Sequence, residues 1–384
     1  MDFSKKIKLL IVDDSAFMRK LISDFFVDNP KVEVVGTARN GKDALKKIQQ
    51  LSPDVVTMDV EMPEMNGLEA LKEIMQLCPV PVVMLSSTTK RGAENTVIAM
   101  EHGAVDFVAK PSGTISLDLH KIKDELIHKV KQAAQVPIVK LKKPIGTKLP
   151  KVEEAKKHIS KNRKSTIPIP VIEKPIITGT KTPVWNNHLK KIILIGTSTG
   201  GPRALQEVIT KIPKTVEAPI LIVQHMPPGF TKSLATRLDQ LSKIHVKEAE
   251  HGDIIQNGTA YIAPGGFHMK LRKVGSSFAI YLDQEEPPRS GHRPSVDVMF
   301  ESVSQFNDFD KIAVIMTGMG YDGSKGLVQL KNSGNVISIA ESQQSCIVYG
   351  MPKAAVETQL VDEITDVDDI AHTIMKYLPK KGVL

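Results

Sequence analysis

The chain has 384 residues, 41% hydrophobic and 24% charged, which is enough for two buried cores and is the composition of a globular protein. No run of about 18 apolar residues occurs, and the amino terminus, MDFSKKIKLLIVDDS, has a polar start leading into a strand instead of a secretory hydrophobic region, so a cytoplasmic location is expected. The only cysteines, Cys78 and Cys346, lie one in each half; they exclude a disulfide framework and a cysteine zinc site and read as small packing residues.

From Ile7 to about Ala134, short β-branched runs alternate with amphipathic stretches, the pattern of a parallel sheet covered by helices and thus of an α/β fold. Strands are predicted at KLLIVDD, VEVVGT, DVVTMDV, VPVVMLSS and AVDFVAK; helical spacing appears in Phe17, Leu21, Ile22 and Phe25, and again in Leu68, Leu71, Ile74 and Met75. Side chains leave an open parallel sheet at the carboxyl ends of its strands. Those ends carry Asp13 and Asp14, then Asp59, then Ser86 and Ser87, then Phe107 through Lys110. An Asp pair after one strand, taken alone, is more often a helix N-cap. Three carboxylates converging with a hydroxyl and an amine repel one another unless a cation lies among them, and all-oxygen ligation suits Mg²⁺. Asp59 is then the expected phosphate-accepting nucleophile, with Mg²⁺ and Lys110 neutralising the phosphoryl oxygens and Ser86 hydrogen-bonding the phosphate.

The set DD, D-V-E-M-P-x-M-N-G, S-S and A-K-P resembles the response-regulator receiver family over residues 1–135. The resemblance implies a flavodoxin-like five-stranded sheet, phosphorylation of Asp59 by a histidine kinase, Mg²⁺ on Asp13, Asp14 and Asp59, and a switch through Ser86 and Phe107. Phe107 stands where the family often has Tyr or another aromatic, and a buried rotamer is the simpler reading for it.

The net charge of +8 is concentrated in one stretch. Between Pro137 and Lys191, 13 Lys and one Arg face three Glu, a local +11 that leaves −3 for the rest; the same stretch has seven prolines. Residues 136–190 read as an extended, self-repelling linker. It is suited to nonspecific attraction to anionic surfaces or receptor carboxylates.

After it, KKIILIG runs into GTSTGGPRAL, with Pro202 in a first-turn position. Gly196 to Gly200 satisfies G-x-S-x-G and lifts Ser198 onto a tight turn, where backbone N–H groups can hold an oxyanion; a phosphate-binding glycine turn fits the motif about equally well. His225 directly follows the strand PILIVQ and Asp322 lies just beyond KIAVIM, so a base and a carboxylate also stand at strand ends. The residue reading for Asp322 alone is a turn aspartate before Gly323. His188, at the linker junction, and His245 and His251, flanking a polar strand, are weak rivals for the base. His268 and His292, each in a glycine-marked loop, are better ones and fit a substrate groove.

The order Ser, His, Asp departs from that of α/β-hydrolases. The segments IGTSTGG, QHMPPGFT, A-P-G-G-x-H, HRPSVD and TGMGYDG behind a receiver closely resemble the chemotaxis protein-glutamate methylesterases of the CheB type. That implies a doubly wound, mostly parallel hydrolase domain over 191–384. It also implies Ser198, His225 and Asp322 as the triad, with Thr199 and Met319 near the oxyanion. The implied activity is hydrolysis of glutamyl methyl esters, and deamidation of glutamines, on chemoreceptor cytoplasmic domains, with no cofactor at the esterase centre. The implied partners are those receptors, at the membrane only through them, and a chemotaxis histidine kinase. A DNA-binding regulator would need a recognition helix with clustered Arg and Lys, whereas the basic residues here sit in a proline-broken tether, so no specific nucleic acid is expected. The remaining rival is a noncatalytic adaptor.

Overall fold

The computed structural model describes residues 6–110, 117–141 and 189–379. In the N-terminal unit β1 (Ile7–Val12), α1 (Ala16–Phe26), β2 (Val32–Ala38), α2 (Gly41–Leu51), β3 (Val55–Asp59), α3 (Gly67–Leu77), β4 (Val82–Ser86), α4 (Lys90–Glu101), β5 (Asp106–Ala109) and α5 (Leu117–Ala133) alternate. The strands form one parallel sheet in the order β2-β1-β3-β4-β5. β3 and β4 are buried along their whole length, which is why they read as unbroken apolar runs. Polar side chains fix the helix starts: Ser15, Asn40, Asn66 and Thr89 each accept the N–H three residues on, Asn66 in a full capping box with Glu69. The strand order reverses between β1 and β3, so the crevice of this sheet opens beside Asp13 and Asp59.

The C-terminal unit contains β6 (Lys190–Thr197), α7 (Gly201–Ile209), β7 (Ile220–Gln224), α8 (Phe230–Leu241), β8 (His245–Glu248), β9 (Thr259–Ile262), β10 (His268–Val274) and β11 (Ser277–Asp283). It continues with α9 (Val296–Ser304), β12 (Phe309–Ile315), α10 (Ser324–Asn332), β13 (Val336–Glu341), α11 (Met351–Glu357), β14 (Glu363–Thr365) and α12 (Val367–Lys376), while the short α6 (Ile138–Leu141) precedes β6 in the chain. Seven strands pair in parallel in the order β14-β13-β12-β6-β7-β9-β8, and β10-β11 is a separate antiparallel hairpin. The chain leaves β6 toward β7 and returns to its other side at β12, so the crevice of this sheet lies over the ends of β6, β7 and β12. Both units have the parallel α/β architecture expected from the sequence.

The tether expected over 136–190 is structured at both ends. Leu141 is buried, and Lys140 donates to the carbonyls of Gln343 (2.8 Å) and Cys346 (2.6 Å). Lys190 and Lys191 belong to β6, where buried Lys191 is neutralised by Asp310. Residues 142–188, His188 among them, lie outside the described residues.

The two units touch through α4 and α8. Arg237 on α8 grips both carboxylate oxygens of Glu101 on α4, at 2.7 and 2.8 Å. Phe107 is buried, as expected, but against the other unit: its ring stacks on Phe230 at 4.7 Å between centroids. One continuous set of buried side chains therefore runs through both units.

Candidate active site and phosphoacceptor pocket

In the N-terminal unit, carboxylate oxygens of Asp13, Asp14 and Asp59 lie within 4.8 Å of one another, with Asp14 exposed and the other two buried. Lys110 reaches in from the end of β5 to Asp13 (2.8 Å) and Asp59 (2.7 Å). Burial pushes Asp59 up to about 6 against the pull of Lys110. The pocket alone thus resists the charge of Asp59, and a hard cation on this all-oxygen set removes the resistance. Ser86 is fully buried and its hydroxyl donates to Gly92 O at 3.0 Å, at the start of α4, so it couples the end of β4 to that helix.

In the C-terminal unit, the β6–β7 register pairs Thr197 with Gln224, so Ser198 and His225 leave neighbouring parallel strands side by side. The His225 N–H donates to Thr197 O at 3.2 Å. Gln224 braces both exits: its amide donates to Ser198 O (3.0 Å) and His225 O (3.2 Å) and accepts from Thr197 Oγ1 (2.6 Å). Backbone conformation and this brace each require a glycine in the turn. Gly200 has φ +77°, and a Cβ on Gly201 would stand 1.9 Å from the Gln224 amide oxygen.

Asp322 completes the arrangement. Its Oδ2 lies 2.8 Å from His225 Nε2. It is not serving its own turn, as the bare Asp-Gly pattern would have it. Instead it sits on the start of α9, accepting from Ser295 Oγ (2.8 Å), Val296 N (2.7 Å) and Asp297 N (3.0 Å). Burial would raise this carboxyl, but the His225 contact and those N–H groups outweigh it and hold it far below the usual carboxylate range. With Nε2 committed to Asp322, Nδ1 is the ring nitrogen left to take a proton, and it is buried without a partner. Ser198 is nearly buried and its Oγ makes no hydrogen bond to His225 in this arrangement, while all three side chains stand at one sheet mouth. The Ser198 N–H is already used by Thr317 O (3.0 Å), so donors for an oxyanion must come from elsewhere around the turn. Thr199 and Met319 both line the same cavity of about 510 Å³.

That cavity is closed on one side by the N-terminal unit, through Asp106, Glu125, His128 and Lys129. Thr199 Oγ1 donates to Asp106 Oδ2, and Asp106 is in turn neutralised by Lys129 at 3.1 Å. Asp106 has no signature in the chain, because its role depends on how the two units dock.

Of the rival histidines, His245 pairs with Asp239 at the surface (2.9 Å) and His251 packs edge-on to Tyr281. His268 was expected in a loop facing the groove. It is instead the first residue of β10, fully buried with Nε2 on Pro287 O (3.1 Å), under the loop that carries His292. His292 does line the cavity, stacked on His225 at 3.9 Å with 8° between the planes. Burial pushes it down to about 4, with the adjacent His225 adding to the effect, so it stays a neutral ring platform for His225.

Behind the Ser198 turn, Glu341 is 1% exposed and accepts from Thr317 N (2.7 Å) and Ser345 Oγ (2.9 Å). Burial, opposed by these donors, pushes its carboxyl up from 4.5 to about 7. The folded protein then keeps a proton that the unfolded chain loses across that window, so stability falls as pH rises from about 4.5 to about 7, by at most about 3 kcal/mol. Glu341→Gln is expected to abolish this decline and to stabilise the protein above pH 7, as read by urea unfolding at pH 5 and pH 8.

Two parallel α/β units, one ending in an acid pocket with its lysine and the other in a hydroxyl, imidazole and carboxylate, define a response regulator with a hydrolase-like output domain. The response regulator receiver domain family matches residues 9–120 and the CheB methylesterase family matches residues 193–374. A protein-glutamate methylesterase/protein-glutamine glutaminase of Halalkalibacterium halodurans is 56% identical over 97% of this chain and 98% of its own length. One of Bacillus subtilis is 48% identical over 98% of this chain and 100% of its own. The Thermotoga maritima CheB methylesterase catalytic domain, a crystal structure, is 43% identical, covering 49% of this chain and 98% of that one with a TM-score of 0.48. The chain belongs to the CheB family of protein-glutamate methylesterases/protein-glutamine glutaminases.

Proposed function

We propose that this protein is a phosphorylation-activated serine hydrolase that cleaves glutamyl methyl esters, and deamidates glutamines, on chemoreceptor cytoplasmic domains. The observation that carries the reading is the 2.8 Å His225–Asp322 contact one strand away from Ser198, at the mouth of a single sheet. Ser198 Oγ attacks the ester carbonyl as His225 Nδ1 takes its proton; Asp322 holds the ring through Nε2 and stabilises the imidazolium. Backbone N–H groups of the turn beside Thr199 and the loop at Met319 receive the oxyanion. Methanol leaves with the proton returned by His225, and water clears the acyl enzyme by the same relay. Asp322→Asn is expected to lower the rate by about 10²- to 10⁴-fold with little change in KM, because the imidazole loses its tautomer control. Steady-state methanol release at saturating receptor measures this.

In the N-terminal unit Asp59 is the nucleophile toward phosphate from a histidine kinase. Asp13, Asp14 and Asp59 would hold Mg²⁺, which would neutralise phosphoryl oxygens alongside Lys110. A phosphate on Asp59 offers Ser86 a stronger acceptor than the Gly92 carbonyl. The hydroxyl then leaves Gly92, the start of α4 shifts, and with it the faces at Glu101 and Phe107 that contact Arg237 and Phe230. Unphosphorylated, the unit sits over the esterase cavity and excludes the receptor helix; phosphorylated, it releases it. Asp59→Asn is expected to leave basal hydrolysis within about twofold and to abolish stimulation by a small phosphodonor with Mg²⁺, a stimulation of about 5- to 150-fold in the native protein. A noncatalytic adaptor would not react with a fluorophosphonate; this protein is expected to be labelled at Ser198.

A further inference from the structure

Asp322 and Asp297 cap each other's helices. Asp322 lies immediately before α10 yet accepts from the first N–H groups of α9, those of Val296 (2.7 Å) and Asp297 (3.0 Å). Asp297 lies on α9 yet its Oδ1 accepts from the first N–H groups of α10, those of Gly323 (2.9 Å) and Gly326 (2.7 Å). The N-cap of α10 is Gly323, at φ +96°, which has no side chain to do this locally. The two helices meet backbone to backbone: a Cβ on Gly326 would stand 2.7 Å from Phe300 Cβ and 2.9 Å from both Asp297 Cα and Asp297 O. Asp297 is fully buried, and its second oxygen, Oδ2, has no hydrogen-bond partner. An unpartnered buried carboxylate oxygen costs stability, so this residue does more than hold the core. Burial and the nearby Asp322 charge raise the Asp297 carboxyl to about 6, against the pull of the Gly326 and Gly323 N–H groups.

We propose that Asp297 is a positioning residue for hydrolysis: by tying the start of α10 to α9 it fixes both the place and the orientation of the Asp322 carboxylate against His225. The proposal rests on the triad reading above. Asp322 is held at two points, by its own acceptor contacts with α9 and by its backbone link to the helix start that Asp297 grips. With the second point lost, α10 is free to drift, and a misplacement near 1 Å at a reacting constellation costs about 10²-fold.

The test uses the full-length protein with methylated receptors and a small phosphodonor with Mg²⁺, comparing Asp297→Ala, Asp297→Ser and Asp297→Asn. Expected for Ala and Ser is a kcat lower by about 10- to 100-fold with KM within about twofold, since neither side chain reaches both N–H groups. Asn keeps an acceptor oxygen at the Oδ1 position and is expected to recover most of kcat. Activity is expressed per folded molecule by circular dichroism, so a merely structural role would appear as a lower melting temperature at unchanged kcat. Folded Ala or Ser protein with kcat within about threefold of the native value overturns the proposal, as does Asn no better than Ser. Should the Ala protein not fold, Ser and Asn decide between these outcomes. Ser198→Ala and Asp322→Asn run in parallel: if either stays active the triad reading itself fails, whereas loss in both with an active Asp297→Ser removes only the positioning role.

Discussion

Ser198→Ala is expected to lower methanol release by at least about 10³-fold while the protein stays folded and still binds receptor. The size follows from what remains. Without the hydroxyl there is no acyl enzyme, and His225 and Asp322 can only activate water. Ser198 Cβ also packs against the Gly318 backbone, where any side chain would stand 2.8 Å away, so alanine fills the same space and no collapse accompanies the loss of Oγ. Burst kinetics with a fluorophosphonate read the same change as loss of covalent labelling. Labelling that persists in the Ala protein, at another serine, would move the nucleophile elsewhere.

Removing residues 1–135 is expected to raise basal hydrolysis by about 5- to 150-fold, the range of a coupling of about 1–3 kcal/mol. Three contacts leave together: Asp106 on Thr199 beside Ser198, Phe107 on Phe230, and Glu101 on Arg237. The first closes the cavity and the other two hold the cover in place. Glu101→Gln, which weakens one partly exposed ion pair, is expected to raise basal activity only about two- to fivefold. A loss of activity on truncation would mean that the N-terminal unit assembles the esterase centre instead of covering it. Purified proteins assayed side by side on methylated receptor membranes distinguish the two.

What the sequence made legible were the strand ends. Buried parallel strands are unbroken apolar runs, and the residues that follow them, Asp13, Asp59, Ser198, His225 and Asp322, stand out because the chain turns polar there. Turn glycines are equally local, so the turn from Gly196 to Gly200 could be read directly. Features that depend on two distant segments meeting could not. Gln224 as a brace, Glu341 under Thr317, and the Asp297–Asp322 exchange are set by strand and helix neighbours far along the chain. A hint existed for Asp297, since S-V-D opens a helix just after the proline of HRPSVD, but its partner helix has no signature in that stretch. His268 misled because a glycine before a histidine marks the start of a strand as readily as a groove loop. Asp106 and Phe107 depend on docking between units, and the fold of either unit alone leaves their partners undefined. The ordered start of the linker escaped for the same reason: Lys140 reads as one more basic residue until Gln343 and Cys346 present their carbonyls to it.

Methanol release from methylated chemoreceptor membranes, with and without a small phosphodonor and Mg²⁺, decides whether phosphate on Asp59 opens a serine esterase centre. Slow release that accelerates several-fold on adding both, and that vanishes in Ser198→Ala, is the expected outcome. Release at the same rate with and without the phosphodonor, or release that survives the loss of Ser198, would contradict it.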